Sequence, residues 1–316
     1  MGTRRRTVRS LVAKLTRAAT PDREQAEAVA ELRLLSKVDG GSGGGNADGD
    51  DYRLAIAEEG AIPFLVGALR SEDATLQENA ITTLLNLSTL APNRELIMSA
   101  RGLSDAILHV LRFGATSSAV RNAAATVYSL LIDEPFRPIL GSKPEIVSAV
   151  VDLLRSPDAG PMTTKDALRA LFVMALYPLN RPKLVDSGVV PALFSLLISS
   201  PIAGIVDDAT AVAAQVAGCT ESLDAFRAVS GIRVLVALLE SGSGRAKENA
   251  ASALLNLARC GGDEAVREIL TVDSVVAAAT DLVDVGSERA RSKASALLSI
   301  LGVQDILHPL SDGSNY

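Results

Sequence analysis

The sequence predicts an all-α solenoid of stacked helical repeats, on three observations. The stretch QENAITTLLNLS, Gln77 to Ser88, returns at Lys247 to Ala258 as KENAASALLNLA. Asn79 and Asn249 are thus 170 residues apart, four periods of about 42, and a fixed period of that size marks stacked repeats. Blurred copies fill the gaps: VRNAAATVYSLL from Val120, KDALRALFVMAL from Lys165, DDATAVAAQVAG from Asp207 and RSKASALLSILG from Arg291. Finally, a glycine precedes an apolar run at Gly60, Gly102, Gly141, Gly188 and Gly231, at intervals of 42, 39, 47 and 43. Glycine supplies the turn that ends one helix. Pro63 and Pro191 then fall in the first turn of the next, where a missing N–H costs nothing. In a weaker last copy Asp273 takes the glycine's place.

Residues 1–7 read as a basic tail, with Arg4, Arg5 and Arg6, leading into a helix whose Val8, Leu11, Val12 and Leu15 share one face. The same acid-free start also fits an organelle transit peptide or a nuclear signal. The need of a solenoid's end for an apolar face favours the helix. Pro21 opens a second helix that runs through Lys37. Residues 39–51, DGGSGGGNADGDD, read as a flexible insertion; they lack the Gly-Lys-Ser/Thr ending of a phosphate loop. Tyr52 resumes the pattern.

Each repeat then reads as three helices: a short one before the glycine (ELIMSA, KLVDS, AFRAVS), a second after it, and the recurring stretch as the third. A three-helix unit of about 42 residues is the armadillo pattern, whereas tetratricopeptide units have two helices in about 34. Five clear repeats between Tyr52 and Gly262, a degenerate one before them and another up to Gly302 make a right-handed superhelix of about seven repeats over residues 8–303. Glu288, Arg289, Arg291 and Lys293 load the last third helix with charge, as an end repeat facing water requires. Residues 304–316 read as a disordered tail.

Composition narrows the function. A net charge of −6, no Trp and 3% aromatic residues argue against nucleic-acid and acidic-membrane partners. No apolar run reaches the ~20 residues of a membrane span, and there is no secretory h-region, so the expected location is cytoplasm or nucleus. Cys219 and Cys260 occupy equivalent positions of adjacent repeats. Helices pack roughly 8–10 Å apart, beyond the reach of a disulfide, so both read as free thiols. His109 lies on a core helix and His308 in the tail. Neither has metal-ligand spacing, and no nucleophile motif appears. The expectation is no catalytic residue, no metal, no cofactor and no small-molecule substrate.

The phrases GAIPFLVGALRSEDATLQENAITTLLNLSTLAPNREL, NAAATVYSLL, TTKDALRALFVMALYPLNRPKLVDSGVVPALFSLL and GSGRAKENAASALLNLA, in that order, resemble the armadillo domain of plant U-box proteins. The resemblance covers Arg9 to Gly302. In that family ubiquitin-ligase activity lives in a separate U-box ahead of the repeats, and this sequence carries none. The resemblance therefore implies a non-enzymatic protein-interaction scaffold that binds a protein or extended peptide in the groove lined by the third helices. The alternative is the substrate-binding part of a U-box E3 ubiquitin ligase whose catalytic module is absent from this chain.

In armadillo proteins an Asn on each third helix clamps a bound peptide's backbone, because an amide both donates and accepts. The resemblance puts that position at Asn86, Ser129, Val173, Gln215, Asn256 and Ser299, of which two are Asn. Asn86 and Asn256 could instead brace neighbouring loops. Four residues earlier stand Thr82, Ala125, Arg169, Ala211, Ser252 and Ser295, with no Trp of the kind that nuclear-import receptors use. Seven earlier stand Asn79, Asn122, Asp166, Asp208, Asn249 and Ser292, an unbroken polar stripe whose two acids favour a partner with some basic character. The candidate partner-binding residues are Asn79, Asn86, Asn122, Ser129, Asp166, Arg169, Asp208, Gln215, Asn249 and Asn256. Leu84, Leu85 and Leu87 are expected on the buried side.

Overall fold

A computed structural model describes residues 2–17, 21–37 and 47–303. Among them every regular element is helical and there is no strand. The chain forms two compact units, residues 1–173 and 174–316.

The first unit opens with α1 (Gly2–Thr16) and α2 (Asp22–Lys37). Triplets follow: α3 (Ala47–Glu58), α4 (Ile62–Ala68) and α5 (Ala74–Ser88), then α6 (Ala91–Met98), α7 (Leu103–Phe113) and α8 (Ser117–Leu131). A 3₁₀ turn, Glu134–Phe136, leads into α9 (Arg137–Leu140), α10 (Pro144–Arg155) and α11 (Pro161–Ala175), which contains the boundary between the units. The second unit continues with a 3₁₀ turn, Pro178–Asn180, and α12 (Arg181–Asp186), α13 (Val189–Ser199) and α14 (Ala203–Val216). Then come α15 (Ser222–Ala228), α16 (Gly231–Ser241), α17 (Gly244–Ile269), α18 (Val275–Val285) and α19 (Glu288–Ile300). Helix α17 holds a third helix and the next first helix, joined at Gly262 with φ 58° and ψ −148°.

Local chemistry sets these elements. Four third helices start on short polar caps: Asp73 accepts from the Thr75 and Leu76 amides, Thr116 from Ala119, Ser243 from Ala246 and Ser287 from Ala290. Second helices bury one stripe, as in α7, where Leu103, Ala106, Ile107, Val110 and Leu111 are buried at helical spacing. The last carbonyls of a third helix would be orphaned, and the following first helix satisfies them. Asn93 Nδ2 donates to the Leu87 carbonyl (3.1 Å) and Arg94 Nη1 to that of Ser88 (3.1 Å). Asn180 and Arg181 repeat the device on Met174 (3.1 Å) and Ala175 (2.9 Å).

The core between helices is Leu- and Ala-rich. In α5 Ala80, Ile81, Leu84 and Leu87 are fully buried. In the second unit Phe194 and Phe226 meet edge to face, ring centres 5.2 Å apart. Cys219 and Cys260 are free thiols, as expected; burial pushes Cys219 up to about 11, helped by the Glu221 charge.

Several expectations are corrected. Residues 2–7 are helical, so they are no tail. Arg4 pairs with Asp51 (3.1 Å) and Arg5 with Glu58 (2.9 Å), both on α3, while Arg5 (2.7 Å) and Arg9 (2.9 Å) share Glu59, the residue just after α3. These three acids, on α3 and at its C-terminal end, neutralise the three arginines and let the apolar face of α1 pack; Val8, Leu11, Val12 and Leu15 are buried. Of the expected insertion, 39–46 lie outside the described residues, but 47–51 belong to α3, and Asp51 holds Arg4. The expected tail 304–316 also lies outside them. Leu85 is only half-buried.

The glycine landmark is also uneven. Gly60, Gly102 and Gly188 have positive φ, whereas Gly141 has φ −73°. In the fifth copy Ser230 takes the left-handed conformation (φ 53°), and Gly231 serves packing instead. A Cβ on Gly231 would lie 2.9 Å from Phe194 Cζ and 3.0 Å from the Phe226 carbonyl oxygen.

Truncation at the two leucines separates core from open face. Leu84→Ala is expected to cost roughly 2–5 kcal/mol and Leu85→Ala about 1 kcal/mol, read by denaturant melts. Glu59 gives a pH test. The Arg9 and Arg5 hydrogen bonds pull its carboxyl from 4.5 down to about 2. A depressed carboxylate stabilises the fold fully above its unfolded pKa and loses that contribution as pH falls through the folded one. The melting difference between the wild type and Glu59→Gln is therefore expected to shrink as pH drops from 4.5 to about 2; a difference constant over that range would contradict it.

Candidate protein-binding face of the third helices

At Asn79, Asn122, Asp208 and Asn249 the polar stripe read from the sequence points into the seam with a neighbouring helix. In the first unit Asn79 is buried, and its Oδ1 accepts from Arg33 Nη1 on α2 (2.8 Å). Asn86 Nδ2 donates to Ser36 Oγ on α2 (2.9 Å). Asn122 is buried and donates to Thr82 Oγ1 on α5 (2.8 Å). Ser129 is buried, donates to the Ser88 carbonyl (3.0 Å) and accepts from Ser88 Oγ (2.8 Å). In the second unit Asn249 Nδ2 donates to the Asp207 carbonyl (3.2 Å) and Asn256 Nδ2 to that of Ala214 (2.8 Å), both on α14. Asn86 and Asn256 thus brace neighbouring helices through their donors, where the alternative left open by the sequence was a brace on neighbouring loops. Their Oδ1 atoms, and that of Asn249, accept no hydrogen bond among the described residues. Gln215 is half-buried and its side chain has no hydrogen-bond partner among them.

The acids do not stand free. Asp166 pairs with Arg169 Nη1 (3.2 Å), and its carboxyl lies above its ordinary range because burial outweighs the pull of Arg169 and Arg121. Asp208 pairs with Arg245 (3.1 Å). The expected preference for a basic partner therefore loses its source at both positions: each carboxylate already faces a guanidinium.

Two features escaped the sequence reading. One is a relay between third helices. The cap hydroxyl that accepts from its own helix donates to an acid on the preceding third helix: Thr116 to Glu78 (2.7 Å), Ser243 to Asp207, and Ser287 to Glu248 (3.1 Å). Where that acid position is basic, at Arg121 and Lys165, the next third helix starts at Gly160 or Ile202, which have no hydroxyl. The acid and the Ser/Thr thirty-six to thirty-nine residues later were the visible signal.

The other is the rest of the open face in the first unit: the expected column of Thr82, Ala125 and Arg169 does lie on it, but its other two rows stand one residue ahead of the Asn79 and Asn86 columns. Glu78, Thr82 and Leu85 of α5 are partly exposed, as are Arg121, Ala125 and Tyr128 of α8, and Lys165, Arg169 and Phe172 of α11. One residue is a turn of about 100°, enough to move a side chain from the open face into the seam. The predicted Asn122, Ser129 and Val173 are buried. Spacing alone gives a face's period and leaves its phase to burial. Beside α5, a cleft of about 790 Å³ opens toward α2, lined by Asp22, Glu27, Ala30, Asp73, Leu76 and Asn79.

Chemistry of other kinds finds little footing. Among the described residues no group of three His, Cys, Asp or Glu side chains could hold a metal ion. No single helix among them is long and apolar enough to cross a membrane. His109 is half-buried, its ring 5.7 Å from that of Phe113.

The family description that matches this chain is the plant U-box protein ARM repeat region, over residues 8–305. This chain belongs to that family. It is 35% identical over 274 residues to U-box domain-containing protein 16 of Arabidopsis thaliana, covering 86% of this chain and 38% of that protein. It is 38% identical over 296 residues to U-box domain-containing protein 1 of Medicago truncatula, covering 93% and 40%. The chain thus spans about two fifths of the length of these relatives. Among solved structures, an engineered protein superposes with a TM-score of 0.78 at 26% identity, covering 93% of this chain and 68% of that one. The designed armadillo repeat protein YIII(Dq)4CqI gives 0.52 at 19%, covering 93% and 99%. The fold is an all-α armadillo-repeat solenoid.

The bracing geometry sets an expectation for this family member. Asn86→Ala and Asn256→Ala are each expected to lower stability by about 1 kcal/mol, more where the abandoned Ala214 carbonyl finds no water. Urea melts of the single variants check this; unchanged midpoints would show that the amides brace nothing.

Proposed function

We propose that this chain is a non-enzymatic protein-interaction scaffold that holds an extended segment of a partner protein against its third helices. The observation that carries the reading is the state of the third-helix amides. In Asn86, Asn249 and Asn256 one N–H of the amide bonds to the neighbouring helix, which fixes each side chain. The acceptors of Asn86, Asn249 and Asn256 and the whole amide of Gln215 are left for a ligand. A fixed, unpaired carbonyl suits a peptide N–H, and its ordering is paid before binding. The family membership over residues 8–305 supports the same reading. No small molecule, cofactor, nucleic acid or membrane enters this proposal, and the expected location stays the cytoplasm or nucleus.

A second reading is favoured by the relatives, which carry U-box in their names and are more than twice as long as the matched region. In it, these repeats select substrates for a U-box ubiquitin ligase, and the transfer chemistry lies outside residues 8–305. Under both readings the repeats themselves transfer nothing.

Two measurements test this. Twelve-residue peptides selected from a random display library on the purified chain are expected to protect α5, α8 and α11, or α14 and α17, from hydrogen exchange. Protection confined to first and second helices, or no peptide selected, would overturn the groove. Incubated with ubiquitin-activating and -conjugating enzymes, the chain is expected to form no ubiquitin chains above background; robust chain formation would overturn the non-enzymatic reading.

A further inference from the structure

We propose that the open face of α8 and α11 docks an acidic, partly apolar peptide segment, with Arg121, Lys165 and Arg169 taking its carboxylates and Leu85, Tyr128 and Phe172 its apolar side chains. This rests on the groove reading above and names the chemistry of what lies there.

The charges on these helices are lopsided. Helix α8 carries one charged residue, Arg121. Helix α11 carries Lys165, Asp166 and Arg169. The single acid is set back, its side chain 16% exposed against 55% for Arg169. The guanidinium of Arg121 reaches across to α11, with Nη1 3.6 Å from Met162 Sδ, and Met162 is itself 62% exposed. Arg121 and Arg169 both act on the Asp166 carboxylate, so the two guanidinium groups sit around one acid and leave an excess of positive charge. On α5 the equivalent position is Glu78, whose carboxylate accepts from Thr116 Oγ1 (2.7 Å). It caps the edge of the patch and leaves the centre basic.

The apolar part follows the same register. Leu85, Tyr128 and Phe172 are equivalent residues of three consecutive third helices, and each is partly exposed. Aromatic residues make up only 3% of the chain, so two at equivalent open positions beside a basic row mark a contact surface. Each lies seven residues after its charged partner, Arg121 before Tyr128 and Lys165 before Phe172, on the same helix face. A ligand meeting this face encounters a basic row and a parallel apolar row. An extended segment alternating Asp or Glu with Leu or Phe matches both rows, since alternate side chains project to opposite edges.

The experiment uses the full chain and three fluorescein-labelled twelve-residue peptides with the same Leu and Phe positions, the remaining sites filled with Glu, Gln or Lys. The Glu peptide is expected to bind most tightly and to weaken with added salt. In Arg121→Glu/Lys165→Glu/Arg169→Glu its affinity is expected to fall by about tenfold or more, with the Lys peptide gaining. Circular dichroism checks folding, and Arg121→Gln/Lys165→Gln/Arg169→Gln gives a milder variant expected to lose the salt dependence. Tyr128→Ala/Phe172→Ala is expected to weaken the Glu and Gln peptides alike. Equal affinity for the three peptides, or a Glu peptide indifferent to charge reversal, would overturn this proposal. If library-selected peptides still protect third helices from exchange, the groove reading survives that result; if none does, both fall.

Discussion

The structure depends on the seam between one third helix and the next. A helix can bury its apolar stripe only against other helices, and in a repeat fold the partners lie one period away in sequence. The seams α2/α5, α5/α8 and α14/α17 are each closed twice. Small residues such as Ala80, Ala123 and Ala250 are fully buried and let backbones approach, while polar side chains fix the register across the gap. Ser88 and Ser129 bond to each other, Asn122 reaches Thr82, and Asn256 reaches the Ala214 carbonyl. At the far end of the same helices, Arg94 takes the Ser88 carbonyl and the Asp133 carboxylate. These bonds are satisfied only when two repeats are in place, which makes adjacent repeats depend on each other.

That constraint shapes function as well. A side chain used in a seam is positioned but half consumed, and this is the condition of the third-helix asparagines. The residues that remain open lie one position away, and their chemistry differs from the seam's. The seams are built from amides and hydroxyls, whereas α8 and α11 expose arginine, lysine, tyrosine and phenylalanine. In the second unit the acids Asp207 and Asp208 of α14 are held by Ser243 and Arg245. The same fold position thus holds a fixed acid in one repeat and an open base in another.

The N-terminus illustrates how charge and burial cooperate. The apolar stripe of α1 needs a neighbour, and four arginines within its first eight residues would repel one another if left alone. Asp51 and Glu58 on α3 and Glu59 just after it answer three of them, so the helix can start at Gly2. Exposed pairs of this kind contribute little individually. Their role is to make the packing of Val8, Leu11, Val12 and Leu15 compatible with a basic sequence.

The sequence by itself determined the all-α class, the period, the three-helix repeat and most of the core, because helical hydrophobic periodicity and the glycine and proline breaks are local facts. It also identified which residues of the third helices are polar. Only the tertiary structure decided which of those face a neighbour and which face outward. Asn122 and Ser129 lie in a seam, Arg121 and Tyr128 on the open side, and their sequence signatures are one residue out of phase. Likewise the left-handed residue of the fifth repeat is Ser230, while Gly231 is required by the ring of Phe194, thirty-seven residues earlier. The phase of a helix is set by contacts with helices some forty residues away, and no local pattern contains them.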